Sequence, residues 1–229
     1  MTNHLVTQFD TDLNEIRSRL LKMGGKVELM IHNALKALVE RNTELATSTI
    51  EFDHEIDRME VEIDEFCLET LVRHQPAARD LRLITFAMKI NTDLERIGDK
   101  SRNIARLARE LNELPVFKAH HDLLQMADIA AAMVTDALDA FVRWDDQSAY
   151  AVCRRDEDLN NFNEQVQRVL LSFMIEDTST TTRAMKINTI ARHLERIGDH
   201  ATNVAKMVIF MVQGKDLRHM KLEYATKSP

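Results

Sequence analysis

The chain has 229 residues, 45% of them hydrophobic, and a formal net charge of −7. That apolar content excludes a disordered chain and supports one large domain or two smaller ones with real cores, while the negative balance, without a long Lys/Arg cluster, argues against binding nucleic acid through its phosphates. Five Gly, three Pro and 5% aromatic residues leave few turn and sheet formers, so the expected fold is all-α.

The N-terminal MTNHLVTQFDTD has no basic start followed by an apolar run, and therefore does not read as a signal peptide. Breakers are sparse: Pro76, Pro115, a Ser/Thr cluster at Thr178–Thr182, and Gly214. Between them the pattern predicts three long helices in each half, of about 30 residues and roughly 45 Å each. In the first helix Gly24–Gly25 reads as a close packing point or a kink, not as a domain boundary. The second helix carries a seam at Leu45, Thr49, Phe52, Ile56, Met59, Ile63 and Phe66, spaced alternately by four and three. The third carries Ile90, Leu94, Ile97 and Ile104.

The second half repeats this order. NALKALVERNTELA at Asn33 aligns with DALDAFVRWDDQSA at Asp136, an offset of 103. The fifth helix is expected to place Val152, Leu159, Phe162, Val166, Val169 and Phe173 on its seam, and the sixth Ile190, Leu194, Ile197 and Val204. The third and sixth helices align at an offset of 100, so three residues are lost between helices, at the QPAA turn of one half and DTSTTT of the other. The expected architecture is two tandem three-helix bundles made by an internal repeat: residues 1–113, then 114–229 with a short C-terminal tail. The longest apolar run, Met207–Val212, falls far below the ~20 residues that span a bilayer, and Cys67 and Cys153 lie far apart within helical patterns, which fits buried thiols of a cytoplasmic protein.

The strongest signal is LERIGD, written at Leu94–Asp99 and again at Leu194–Asp199. Glu95 and Asp99, like Glu195 and Asp199, are four apart and share a helix face beside the apolar seam. One helix earlier Asp53 and Asp57 have the same spacing, and their counterparts are Asp156 and Asn160. Facing D-x-x-x-D and E-x-x-x-D motifs offer oxygen donors that suit a hard cation such as magnesium, manganese, calcium or iron better than zinc. Gly98 and Gly198 lie between the acids and let a neighbouring helix or an ion come close. A single such pair on a helix is ordinarily solvated or ion-paired, and Arg96 and Arg196 stand next to the acids. His193 and His200 flank the second copy as surface residues or as supports of a site. Arg79 and Arg82 around Asp80 open a helix, where a phosphate is favoured unless neighbouring acids satisfy them.

The two LERIGD motifs, RHQPAARDLR at Arg73–Arg82, LERIGDHATNVA, and the duplicated three-helix layout together resemble the PhoU family of cytoplasmic regulators of bacterial phosphate uptake, from about Leu13 to about Gly214. The resemblance implies two three-helix bundles related by a pseudo-twofold axis. It implies metal clusters on Asp53, Asp57, Glu95 and Asp99 and on Asp156, Glu195 and Asp199, with iron, manganese, magnesium or zinc as the metal. Asn160 departs from the acidic pattern and implies weaker binding in the second cluster. The implied role is a homodimeric, non-enzymatic adaptor that represses phosphate-starvation genes and restrains uptake. Its implied partners are a sensor histidine kinase and the ATP-binding subunit of the phosphate ABC transporter. No P-loop, Gly-rich phosphate cradle or nucleophile–base arrangement stands against this. The alternatives are a carboxylate-bridged metal bundle with oxidase-like or storage activity, for which Glu51 and His54 give one Glu-x-x-His spacing, and a structural bundle whose acids pair with arginines.

Overall fold

Residues 2–117 and 121–214 are described by a computed structural model. Six α-helices carry the fold: α1 (Thr2–Val39), α2 (Thr43–His74), α3 (Ala78–Asn112), α4 (His121–Arg143), α5 (Asp146–Glu176) and α6 (Thr181–Gln213). Among the described residues there is no strand. Three helices per half follow the expected order, although α4 has only 23 residues. The tail at 215–229 lies outside the described residues.

The repeat reaches down to the helix caps. Asn42 precedes α2 and accepts from the Leu45 amide at 2.9 Å, and Asp145, 103 residues on, accepts from the Ser148 amide at 3.1 Å. The residue before each cap, Arg41 or Trp144, is left-handed at φ 53° or 58°, and so turns the chain back sharply from α1 or α4. Arg41 then donates to the Leu114 carbonyl at 2.7 Å and to the Asn112 carbonyl, closing the end of α3. Trp144 lies under the Arg79 guanidinium, 4.4 Å from ring centre to Cζ. Gly214 ends α6 at φ 70°.

Helices α1, α3, α6 and α4 pack in a ring, each against the next, and α2 and α5 lie outside it on α1/α3 and α4/α6. One core therefore runs through both repeats, with Ile31, Ile84, Ile90, Leu94, Ile190 and Leu194 fully buried. Gly24 is a packing point: a Cβ there would stand 2.1 Å from Leu138 Cδ1 on α4. The α3–α6 crossing is antiparallel and obeys the repeat. Phe86 meets Phe210 edge-on at 5.6 Å, and the positions 100 residues away, Lys186 and Glu110, form an ion pair.

Two seam expectations need correction. On α5, Val169 and Phe173 are each 39% exposed, and Asn163 and Leu170 are buried instead. On α2, Thr49, Ile56 and Ile63 are buried, but Asp53, Cys67 and Thr70 share the buried face with them. A strict four–three count runs at 3.5 residues per turn, whereas a straight helix turns every 3.6, so the buried line drifts toward the next residue with each heptad.

Candidate functional site

The acids of each repeat gather where its second and third helices cross. In the first repeat Gly98 lets α3 approach α2 closely: a Cβ there would lie 3.2 Å from Ile56 Cγ2 and 3.7 Å from Asp53 Oδ1. Asp53 is buried, Asp57 sits one turn further along, and Glu95 and Asp99 face them from α3. Arg102 ties this group together. Its guanidinium donates to Asp53 and, at 2.7 Å, to Asp99. Arg96 reaches Glu95 at 3.4 Å and Asp99 at 3.8 Å, and His54 approaches Asp57 at 3.7 Å. Glu60 and Asp64 extend the acidic stripe. Buried Asn91 donates to the Glu60 carbonyl at 2.8 Å and to Asp64 Oδ1 at 2.9 Å, and its own Oδ1 has no partner.

The second repeat is built differently. The position of Arg102 is taken by Thr202, whose hydroxyl donates to Asp156 Oδ1 at 3.2 Å. Asn160 lies 3.5 Å from the same carboxylate, and buried Asn163 donates to Glu195 at 2.8 Å with its Oδ1 left unpaired. Asp199 makes no hydrogen bond or ion pair among the described residues. Among the described residues no guanidinium forms an ion pair with this second set, and Arg196 forms none.

Burial and crowding show in the titration of both groups. Burial pushes the Glu95 carboxyl up, helped by the charge of Asp99, and it does the same to Glu195 with help from Asp199. Asp199 is raised by burial and then by Asp156. Asp53 is also raised, because burial outweighs the hydrogen bond from Arg102.

The donor types fit a hard cation, but the two sets do not offer it equally. In the first, Arg102 and Arg96 already supply positive charge to Asp53, Glu95 and Asp99. In the second, the direct hydrogen-bond partners are neutral, the Thr202 hydroxyl and Asn160 amide on Asp156 and the Asn163 amide on Glu195, while Arg192, Arg196 and Lys206 act on Glu195 and Asp199 without an ion pair among the described residues. In the arrangement seen here, no three His, Cys, Asp or Glu side chains among the described residues converge closely enough to hold a metal ion. Arg102, Asn163 and Thr202 join the acids that the sequence pattern marks. The signal for Arg102 lay in the repeat itself, since KSRNIA and HATNVA differ at that position.

The other candidates fall elsewhere. His54 is 83% exposed, so Glu51 and His54 face solvent and not a metal pocket. Arg79 stacks on Trp144, and Asp80 lies near Arg17, whose guanidinium pKa is lowered by burial and by Arg79. His200 bonds Asp93 across the α3–α6 crossing at 2.8 Å, and His193 is half-buried. Both cysteines are free and buried, and burial raises Cys67 to about 12 and Cys153 to about 11.

A family model described as the PhoU domain matches residues 20–108 and again 123–208. The phosphate-specific transport system accessory protein PhoU homolog of Pseudomonas putida is 42% identical over 229 residues, 99% of this chain and 89% of the relative. The accessory protein PhoU of Escherichia coli is 34% identical over 224 residues, 96% of this chain and 91% of that one. Among solved structures, PhoU from Pseudomonas aeruginosa is 40% identical and superposes with a TM-score of 0.86 over 90% of this chain and 100% of that one. The phosphate transport system regulatory protein PhoU from Streptococcus pneumoniae is 26% identical, with a TM-score of 0.84 over 91% of this chain and 98% of that one.

Proposed function

The chain belongs to the PhoU family, and from that premise we propose that it is an accessory regulator of phosphate uptake. In this reading it works in the cytoplasm as a homodimeric adaptor between a phosphate ABC transporter's ATP-binding subunit and a sensor histidine kinase, and it keeps phosphate-starvation genes off when phosphate is plentiful. The reading is supported above all by the near full-length match, through both domains, to relatives named as accessory proteins of phosphate-specific transport. It is compatible with a chain in which no described helix is long and apolar enough to cross a membrane. The test is a phosphate-starvation reporter, such as alkaline phosphatase, in phosphate-rich medium. Deletion of the gene should raise the reporter, and its return should silence it; a reporter that stays low on deletion overturns the regulatory role.

A hard divalent or trivalent cation belongs to the same proposal, held in the second repeat by Asp156, Glu195 and Asp199. Its support is the pair of carboxyls raised by burial and by a neighbouring acid, Asp199 for Glu195 and Asp156 for Asp199, with no arginine or lysine in ion-pair contact among the described residues. Iron, manganese and magnesium suit these oxygen donors; zinc suits them less. The side chains must close in to hold it. A cation on Asp53, Asp57, Glu95 and Asp99 would instead have to displace Arg102 and Arg96. Metal analysis of untagged protein after mild loading, with wild type compared against Glu195→Gln, tests this assignment. Metal retained equally by both overturns it.

A further inference from the structure

We infer that the cleft between α3 and α6 is a binding site for a phosphoryl oxyanion, made from both repeats at once. A cavity of about 420 Å³ opens there, floored by the largely buried Phe86 and Met207. Its volume lies in the range of small-molecule sites. Lys89 enters it from α3 and Lys206 from α6. Neither ammonium has a carboxylate within ion-pair distance among the described residues. Lys89 rests over the Phe86 ring at 5.6 Å, which holds its stem while leaving its protons free.

The lining holds one acid against the two lysines. Asp93 is engaged by His200 Nδ1 at 2.8 Å. Asp199 and Asp156 influence the surroundings of Lys206 only at longer range, without forming an ion pair to it. The Asn203 amide has no partner among the described residues, and the Thr92 hydroxyl makes only a long bond of 3.3 Å to the Met88 carbonyl. Two point charges and two neutral donors around one opening match the several acceptor oxygens of a phosphoryl group. The apolar floor also accepts the body of an ester.

The corresponding place in the other half differs in its residues but is also basic, with Arg106 at the position of Lys206, Arg192 at that of Thr92 and His193 at that of Asp93. The position of Phe86 is taken by Lys186, which is already bound to Glu110, and the position of Lys89 by Thr189. Because Lys89 and Lys206 come from different repeats, bound oxyanion bridges the two bundles and reports on their packing.

Calorimetric titration of the full chain tests the inference, with inorganic phosphate in one arm and phenyl phosphate in the other, at constant ionic strength. Saturable binding is expected, weakened about ten-fold or more in Lys89→Gln/Lys206→Gln and unchanged in Lys36→Gln. Thermal unfolding checks that the variants remain folded, and Asn203→Ala gives an independent weakening if the lysine pair cannot be prepared. Equal binding of both probes points to free phosphate as the ligand, and binding of phenyl phosphate alone points to an ester. No saturable binding of either probe up to about 10 mM, or binding that the double variant leaves intact, overturns the site. Binding is read on the isolated chain, so its result is separate from that of the reporter assay.

Discussion

Arg102 on α3 donates to buried Asp53 on α2 and also holds Asp99 of its own helix at 2.7 Å. The equivalent of Asp53 in the second repeat, Asp156, meets the hydroxyl of Thr202 instead. One duplicated crossing is therefore closed by an internal cation, and the other is held by neutral donors.

Loss of Arg102 should leave Asp53 buried without a partner. Arg102→Ala is expected to cost roughly 2 kcal/mol, toward the low side for a buried pair because the arginine is 37% exposed. Adding Asp53→Asn should recover part of the loss, since the uncompensated charge is then gone. Urea unfolding of the two single variants and the double variant measures the coupling; additive losses would show that the pair contributes nothing.

The second repeat should respond in the opposite sense. A carboxyl raised in the folded state, as Glu195 is, contributes most below its unfolded pKa and loses that contribution as pH rises through the folded value. At pH 7 its charge is a burden on the metal-free chain. Glu195→Gln keeps an acceptor for Asn163 and should raise Tm at pH 7, with the gain fading toward pH 4. Magnesium or manganese should raise Tm in the wild type more than in the variant. Thermal scans across pH, with and without metal, decide both points.

Close helix approach depends on individual glycines. A Cβ on Gly198 would stand 2.4 Å from Leu159 Cδ2, a side chain with no exposure. Gly198→Ala should cost about 1–2 kcal/mol, as overpacking outweighs better helix propensity. Gly25 has open space around its Cβ position, so Gly25→Ala should be neutral or stabilise by up to about 1 kcal/mol. Chemical denaturation of the two variants side by side checks the contrast.

The cysteines should be inert in the native chain. Both are buried with raised pKa values, so little reactive thiolate exists at pH 8. Labelling with a disulfide reagent should be slow in buffer and complete in denaturant. Rapid native labelling of either thiol would show that its helix opens readily.

The amino-acid order by itself determined the helices, their number and their duplication. These follow from local causes: apolar spacing, capping residues such as Asn42 and Asp145, and breakers such as Pro76 and Gly214, all within a few residues of what they control. It also marked the acids of LERIGD, because the motif is written twice. Only the tertiary structure decided what surrounds those acids. Arg102 lies 49 residues from Asp53, and His200 lies 107 from Asp93. Which cation reaches which carboxylate depends on how two helices cross, on how far a buried line drifts along α5, and on one side chain differing between repeats. The cleft that holds Lys89 and Lys206 is likewise a product of packing, since each lysine alone reads as a solvated charge until α3 and α6 bring them together.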